Sequence, residues 1–447
     1  ERIEVVGGAM STMYGSNALG GVINIITKDV DKPFVLDFNT RLSTLREQAY
    51  SLNFGTKLKK FSSNSYIGYR YKAPYKLEDQ KEDQEIVINE DGSIDTTTIQ
   101  MRAMALRGYR IWNASQKFNY KANEKLNFGL VGTFYHNQLQ NYDSLSKSNK
   151  LNYDYSITAN PEYKFNDKHK LDFSYSLDNY WKNVFFINTN KTRTDYSDIN
   201  NTVRLNYNTK MFDNSVIIAG VEFNNEVLKH YMFADSGKHS YHNVVFYMQE
   251  ERKMLENLTL LTGIRFDVHS IYKLHVTPRI NLMWKLNNFT IRGGYASGFR
   301  SPTLKELYSE YDMGGLGMFI IRGNPNLKPE LGHNFNLSGV YNKGIFYTSL
   351  SAFYNAFTNK IGFEWQLNPE TNKEDLVYVN AETAKTTGLE YLVRLKFNFG
   401  LTTQLSYSYT YDYQYRDGKN MSMVRPHHIT YFANYSKRFK NIGISTT

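Results

Sequence analysis

The sequence predicts an all-β protein, a transmembrane antiparallel β-barrel, and three observations carry that expectation. Apolar and polar residues alternate with a period of two through most of the 447 residues, the pattern of strands with one oily and one wet face. Short polar links between these runs alternate with longer ones. Aromatic residues make up 15% of the chain, with 36 Tyr and 28 Phe, which suits rings sitting at headgroup depth. Mean hydropathy is −0.54, and no apolar run approaches the roughly 20 residues that a spanning helix needs. Helical insertion is thereby excluded. A wall of strands is not, because only alternate residues need be apolar.

The chain opens on a different kind of segment. Gly15-Ser16-Asn17-Ala18-Leu19-Gly20-Gly21 packs three glycines among small residues and passes into Val22-Ile23-Asn24-Ile25-Ile26-Thr27. Glycine permits the tight turn, and the β-branched run at 22–27 reads as one buried strand. After Lys32-Pro33 the period is two. Leu171, Phe173, Tyr175 and Leu177 alternate with Asp172, Ser174, Ser176 and Asp178; Leu126, Phe128, Leu130 and Phe134 alternate with Asn127, Gly129, Val131 and Tyr135. Leu405, Tyr407, Tyr409, Tyr411 and Tyr413 repeat the pattern, as do Leu389, Tyr391, Val393 and Leu395 against Glu390, Arg394 and Lys396. One such strand also fits a soluble sandwich.

The links separate the two. Short ones fall near 57–62, 121–125, 164–169, 208–214, 253–257, 285–288, 342–344, 398–400 and 437–441. Longer ones fall near 74–107, 138–150, 184–194, 228–240, 300–330, 358–382 and 412–424, with brief exceptions near 43–47 and 269–273. That rhythm belongs to an outer-membrane barrel with short periplasmic turns and long outward loops, whereas sandwich links keep no fixed rhythm. The runs number about 19 strands, against about 22 in barrels with a plugged lumen.

Charge and cysteine content exclude several classes. Lys+Arg 53 against Asp+Glu 43 gives +10. The basic residues are scattered, with clusters such as Lys57, Lys59 and Lys60 or Lys437, Arg438 and Lys440 in the short turns. A nucleic-acid protein gathers them on one face, so no nucleic-acid partner is expected. With no cysteine there is no disulfide, thiolate metal site or thiol nucleophile. No nucleophile elbow or phosphate-cradling loop occurs, so the chain does not read as an enzyme.

Glu1-Arg2-Ile3-Glu4-Val5-Val6, Met13-Tyr14-Gly15-Ser16 and Gly20-Gly21-Val22-Ile23-Asn24-Ile25-Ile26-Thr27 resemble the end of the plug domain of TonB-dependent outer-membrane receptors. Glu1, Glu4, Tyr14, Gly15, Gly20, Gly21 and Asn24 are the matching residues. The family usually has Arg-Gly-Pro after the Val-Val pair; this chain has Gly7-Gly8-Ala9, so the plug arginine that often pairs with barrel carboxylates is missing. Gly294-Tyr295-Ala296-Ser297-Gly298-Phe299-Arg300-Ser301-Pro302-Thr303-Leu304-Lys305-Glu306-Leu307-Tyr308 and Gly323-Asn324-Pro325-Asn326-Leu327-Lys328-Pro329-Glu330 are similar to the receptor barrel's own signatures. Arg300, Pro302, Glu306, Asn324 and Pro325 carry that match. For Arg300 and Glu306 the bland reading, that they hold their loop in shape, stands beside a charge at the lumen wall. The resemblance implies residues 1–32 as the C-terminal part of a plug and 33–447 as a barrel with C-terminal strands missing, the chain being a fragment that does not close by itself.

The resemblance implies transport in the outer membrane of a Gram-negative bacterium, energised by the TonB–ExbB–ExbD complex through an N-terminal TonB box outside this chain. The expected cargo is a ferric siderophore, with haem and cobalamin as alternatives, and a surface lipoprotein is a candidate partner. No cofactor is expected; iron would come only as part of the cargo. A passive channel or an adhesive barrel are the other classes.

Two loops are candidate ligand contacts. Loop 300–330 carries Tyr308, Tyr311, Asp312, Met318, Phe319 and Arg322, aromatics and an arginine suited to a planar or anionic chelate or simply to packing the loop. Loop 228–242 carries His230, Tyr231, His239 and His242, residue types that can ligate haem iron. Against haem, no histidine lies between Phe299-Arg300-Ser301-Pro302 and Asn324-Pro325-Asn326-Leu327, where the family's haem receptors usually have one. The acidic run Glu78, Asp79, Glu82, Asp83, Glu85, Glu90, Asp91 and Asp95 offers hard oxygens for calcium, but reads first as a solvated loop. His427 and His428 face opposite ways on a strand and cannot share one ion.

Overall fold

The computed structural model describes residues 2–7, 11–16, 20–27, 29–44, 46–76, 82–88, 94–100, 105–140, 148–233, 237–312, 319–369, 371–380, 383–416, 419–420, 424–439 and 442–446. From Phe34 onward the alternating runs pair into a continuous antiparallel sheet of 18 strands, wrapped as a barrel and extended by the short Ile442–Thr446 strand on His427–Phe439. Each strand pairs with the next wall strand in sequence, as short links require. Among the described residues, no ladder register joins the Phe34–Ser43 strand to Ile442–Thr446.

The two faces differ as the period predicts. Phe173, Leu205, Val221, Phe246, Phe266 and Val276 stand opposite one another on six successive strands, and all are exposed on the outer side. One residue along, Arg204 pairs with Glu222 and Val245 with Asp267, and Glu222, Val245 and Asp267 are buried. An apolar outer belt around a polar interior is what lipid outside and water inside demand. Strand length is uneven. Phe34–Ser43 has 10 residues, whereas Ser148–Lys164, His169–Phe186 and Lys191–Phe212 have 17, 18 and 22.

The opening segment forms a hairpin and one helical turn. Arg2–Gly7 pairs antiparallel with Gly21–Ile26, placing Glu4 opposite Asn24, whose Nδ2 donates to Glu4 Oε2 at 3.0 Å. The expectation of a buried strand at 22–27 is corrected here: Ile23 and Ile25 are each 67% exposed, and Ile3 68%. A β-branched run dictates strand geometry, but burial needs a neighbour, and a two-stranded ribbon covers little of its own faces.

The Ser11–Tyr14 turn does reach the lumen wall. Ser11 and Thr12 are fully buried, and Thr12 Oγ1 donates to Thr277 O at 3.2 Å. Arg265, 1% exposed, lies against Gly15. Its guanidinium donates to Asp267 Oδ2 at 2.8 Å and to Glu222 Oε1 at 3.1 Å, while Arg204 also grips Glu222. Asn243 and Asn224 donate to the same two carboxylates, at 2.9 and 2.7 Å. The barrel thus supplies the arginine for its own buried acids. Beyond the hairpin, Asp29 pairs with Lys117 at 2.6 Å, which ties the linker to the wall.

Among the described residues the short links form as expected; in the link near 437–441, residues 440–441 lie outside them. On the other side, 184–194 is a four-residue turn, not a longer loop, because the His169–Phe186 and Lys191–Phe212 strands pair up to Phe186 and Lys191. The acidic run lies in and around a hairpin of Glu82–Ile88 with Ile94–Gln100; Glu78, Asp79, Glu90 and Asp91 lie outside the described residues.

Candidate ligand-binding mouth

The longer loops build a cap over one end of the wall. Arg300 and Glu330 are register partners at the base of loop 300–330. Arg300 Nη2 donates to Glu330 Oε1 at 2.7 Å and Nη1 to Glu306 Oε2 at 3.0 Å. Glu306 also closes a capping box with Thr303 at the start of the Leu304–Tyr308 helix, satisfying amide groups that a short helix leaves bare. Glu330 further accepts from Ile361 N at 2.8 Å. Arg300 and Glu306 therefore hold the loop's shape. Pro302 is buried, with its carbonyl accepting from Tyr272.

The two candidate loops meet. Leu304 and Leu307 form the helix's buried face, and Leu304 packs with Leu228 and Phe233 in an apolar cluster flanked by Tyr196, Tyr241, Ile271 and Tyr308. Phe233 and Ser309 form an antiparallel bridge, and Glu310 N donates to Met232 O at 2.6 Å. His239 stacks on Tyr308 with ring centroids 3.8 Å apart, and Tyr231 meets Tyr311 edge-on at 5.8 Å. Burial, with the hydrogen bond to Tyr311, pushes the Tyr231 phenol up to about 12. Burial also holds the Tyr272 phenol above its ordinary value, with Tyr308 and Glu306 adding to the effect.

Loop 300–330 and loop 358–382 share a four-stranded sheet that periodicity did not reveal. Its order is Glu310–Asp312, Ile320–Arg322, Lys373–Asn380, Ile361–Asn368, with the middle pair parallel. Arg322 is engaged there: its Nε lies 2.8 Å from Asp375 Oδ2. Asp375 also accepts from Ile320 N and Asn368 Nδ2. Phe319 meets Trp365 edge-on at 5.0 Å. Asn324 Nδ2 donates to Tyr378 O at 3.0 Å while its Oδ1 takes Asn326 N, so the turn containing Pro325 clamps the cap sheet. Asp312 is exposed at the end of its short strand; Met318 lies outside the described residues, as does Glu1.

Two histidines change role. His230 is buried, its Nδ1 accepting from Met232 N at 3.0 Å. His242 is set apart from the cluster: it shares the outer face with Phe246 and Met248, while Tyr241 and Asn243 face inward. Alternation along 242, 244, 246 and 248 carried that information. Sequence reasoning missed Arg193 and Lys305. Arg193 lies 5.3 Å from the Tyr231 ring centroid and pairs with Asp195 at 2.6 Å, with over half its side chain exposed. Lys305 Nζ lies 5.0 Å from the Tyr196 ring centroid. Arg193 fell in the span read as a loop; no local signal marked it. Among the described residues, no group of three His, Asp or Glu is placed to hold a metal ion. The accessible chemistry of the mouth is phenols, ring faces and a half-exposed guanidinium, groups that suit a planar or anionic ligand.

Residues 50–445 match the family described as TonB dependent receptor-like, beta-barrel. The chain belongs to the TonB-dependent receptor family. An iron-regulated outer membrane virulence protein of Vibrio cholerae is 28% identical over 379 residues, covering 81% of this receptor chain and 53% of the relative. A probable TonB-dependent siderophore receptor of Acinetobacter baumannii, PirA, is 23% identical, covering 81% of this chain and 54% of its own. The crystal structure of the A. baumannii siderophore receptor PirA superposes with a TM-score of 0.78 at 18% identity, over 99% of this chain and 71% of that one. The PirA structure from Pseudomonas aeruginosa gives 0.74 at 19%, over 98% and 74%. The receptor chain spans about half the length of the curated relatives it matches.

Proposed function

We propose that this receptor imports a ferric siderophore across the outer membrane of a Gram-negative bacterium. The observation that carries the reading is the joint between the two candidate loops, which sets Tyr231, Tyr311 and Arg193 together at the mouth of a wall whose lumen side holds the Ser11–Tyr14 turn. Phenols and a guanidinium recognise aryl rings and anionic iron chelates. The relatives' names, siderophore receptors among them, support the same cargo. In this reading, ligand binds the cap, and the TonB–ExbB–ExbD complex, coupled to the proton gradient, pulls the plug to open a path. The Arg265 contact at Gly15 is uncharged on the plug side, so withdrawal of that turn leaves the ion pairs inside the barrel intact. Haem is less well served: His230 already accepts a backbone hydrogen bond and His239 is stacked on Tyr308.

Deletion of the complete gene, with growth under iron limitation on ferric catecholate, ferric hydroxamate, haem or cobalamin, tests the reading. The expected result is loss of growth on one ferric siderophore, restored by the intact gene and weakened by Arg193→Ala or Tyr231→Ala. Normal use of each ferric siderophore by the deletion strain would overturn it.

A further inference from the structure

At the wall's other end, the short turns carry an arrangement that import does not use. Three neighbouring turns, 57–61, 121–126 and 164–169, are tied together by backbone hydrogen bonds. Lys121 N donates to Lys60 O at 2.8 Å and Lys164 N to Lys125 O at 2.7 Å. Two of these turns repeat one device: Asn123 Oδ1 accepts from Lys125 N and Leu126 N, and Asn166 Oδ1 from Lys168 N and His169 N, each at 2.9–3.0 Å. Such Asx turns fix the chain locally, and the ladder between turns brings lysines of successive turns side by side.

The turns enclose a cleft of about 760 Å³ lined by Lys59, Lys60, Lys121, Lys125 and Lys164. Glu124 and Glu162 are the acids in it, so positive charge dominates five to two. Glu162 is engaged by Lys170 at 3.1 Å and Lys164 at 3.9 Å. Lys60 Nζ donates to Ala122 O at 3.1 Å. Among the described residues, Lys59, Lys121 and Lys125 have no carboxylate partner.

The cleft borders an aromatic band. Phe118, Tyr120, Phe128, Tyr163 and Phe165 are exposed on the outer face beside these turns, as is Leu58. Phe61 pairs with Phe118 at 5.9 Å, and Tyr163 with Phe165 at 4.9 Å. Rings of this kind mark the depth of the membrane interface, so Lys59, Lys60 and Lys125, in the turns themselves, stand at the depth where phospholipid phosphates lie, with Lys121 and Lys164 behind them on the lumen side of the rim. The cleft straddles the rim: Leu126 lines it from the ring-bearing face and Asn127 from the lumen face.

We propose that this cleft binds the phosphate of an anionic phospholipid in the leaflet at the short-turn end, with the acyl chains running along the aromatic outer face. Lysine is a point-charge partner for phosphate, and basic residues beside a membrane surface select anionic lipids. The apolar border makes a lipid, rather than a free anion, the ligand. The site depends on the wall spanning a membrane and not on the identity of the imported cargo.

The complete receptor, purified in detergent, is titrated with phosphatidylglycerol, phosphatidylcholine and inorganic phosphate, and bound lipid is counted by native mass spectrometry. Phosphatidylglycerol is expected to be retained over phosphatidylcholine. In the combined variant K59Q/K121Q/K125Q its retention should fall about ten-fold or more, while K59R/K121R/K125R keeps it. Resistance of the barrel to SDS before heating shows that both variants are folded. Equal retention of the two lipids, or unchanged retention in the glutamine variant, overturns the proposal. Displacement of phosphatidylglycerol by inorganic phosphate at matching concentration also overturns it, because the site would then take a free anion.

Discussion

Gly15 and Arg265 meet at the lumen wall so closely that a β-carbon on residue 15 would stand 2.9 Å from Arg265 Nη2. Gly15 also holds φ +83°, a conformation that costs a β-branched residue on the order of 1–3 kcal/mol. Gly15→Val should therefore loosen the Ser11–Tyr14 turn from the wall without disturbing the strands. Single-channel recording of the complete receptor should show raised conductance in Gly15→Val and a smaller rise in Gly15→Ala. Conductance equal to wild type in both would mean that this contact does not seat the opening segment against the wall.

Arg265 is the buried partner of Asp267 and Glu222. Its removal strands carboxylates in a water-poor site, a loss of about 3–5 kcal/mol for a broken buried pair. Arg265→Met is expected to lower the temperature at which the barrel loses SDS resistance, and adding Asp267→Asn should recover part of the loss. A variant that melts with wild type would show that water reaches the network and screens it.

Arg300 ties Glu306 and Glu330 together across the loop base. Each charge-assisted bond is worth about 1.5–3 kcal/mol, and lysine cannot reproduce the planar fork. Both Arg300→Gln and Arg300→Lys should expose loop 300–330 to protease in the folded receptor, glutamine more than lysine. Cleavage rates matching wild type would assign the loop's shape to the Leu304 cluster instead.

The Tyr231 phenol, raised to about 12, predicts an alkaline effect of definite sign. The folded state keeps its proton where the unfolded loop, at about 10, has lost it, so stability from this group is complete below pH 10 and declines as pH rises toward 12. Protease protection of residues 228–242 should weaken across that window in wild type. Tyr231→Phe, which has no proton to lose, should show a shallower decline; identical profiles would place the effect elsewhere.

Much of the wall was legible because a period of two states both conformation and facing. Phe173, with Leu171 and Tyr175, points outward as the alternation requires, and the same count would have placed His242 outside. Burial of Ile23 and Ile25 was not legible, since side-chain branching fixes the strand and not what lies across from it. The cap sheet left no trace either. Ile320–Arg322 has 3 residues, too few for periodicity, and its parallel partner lies some fifty residues away at Leu376 and Val377. Such a pairing is decided by where the barrel delivers the two loops. Arg322 consequently looked available for a ligand, although Asp375 holds it.

The unequal strand lengths have a consequence for where encounter takes place. At about 3.3 Å per residue, the 22 residues of Lys191–Phe212 extend about 70 Å, or roughly 50 Å in height at a typical barrel tilt. A hydrocarbon core of about 30 Å takes up little more than half of that. Arg193, two residues below the outer end of that strand, and Tyr231, level with Asp195, are thereby lifted roughly 10–15 Å clear of the oily layer, so a molecule taken there, as proposed, would be met above the lipid surface rather than inside the wall.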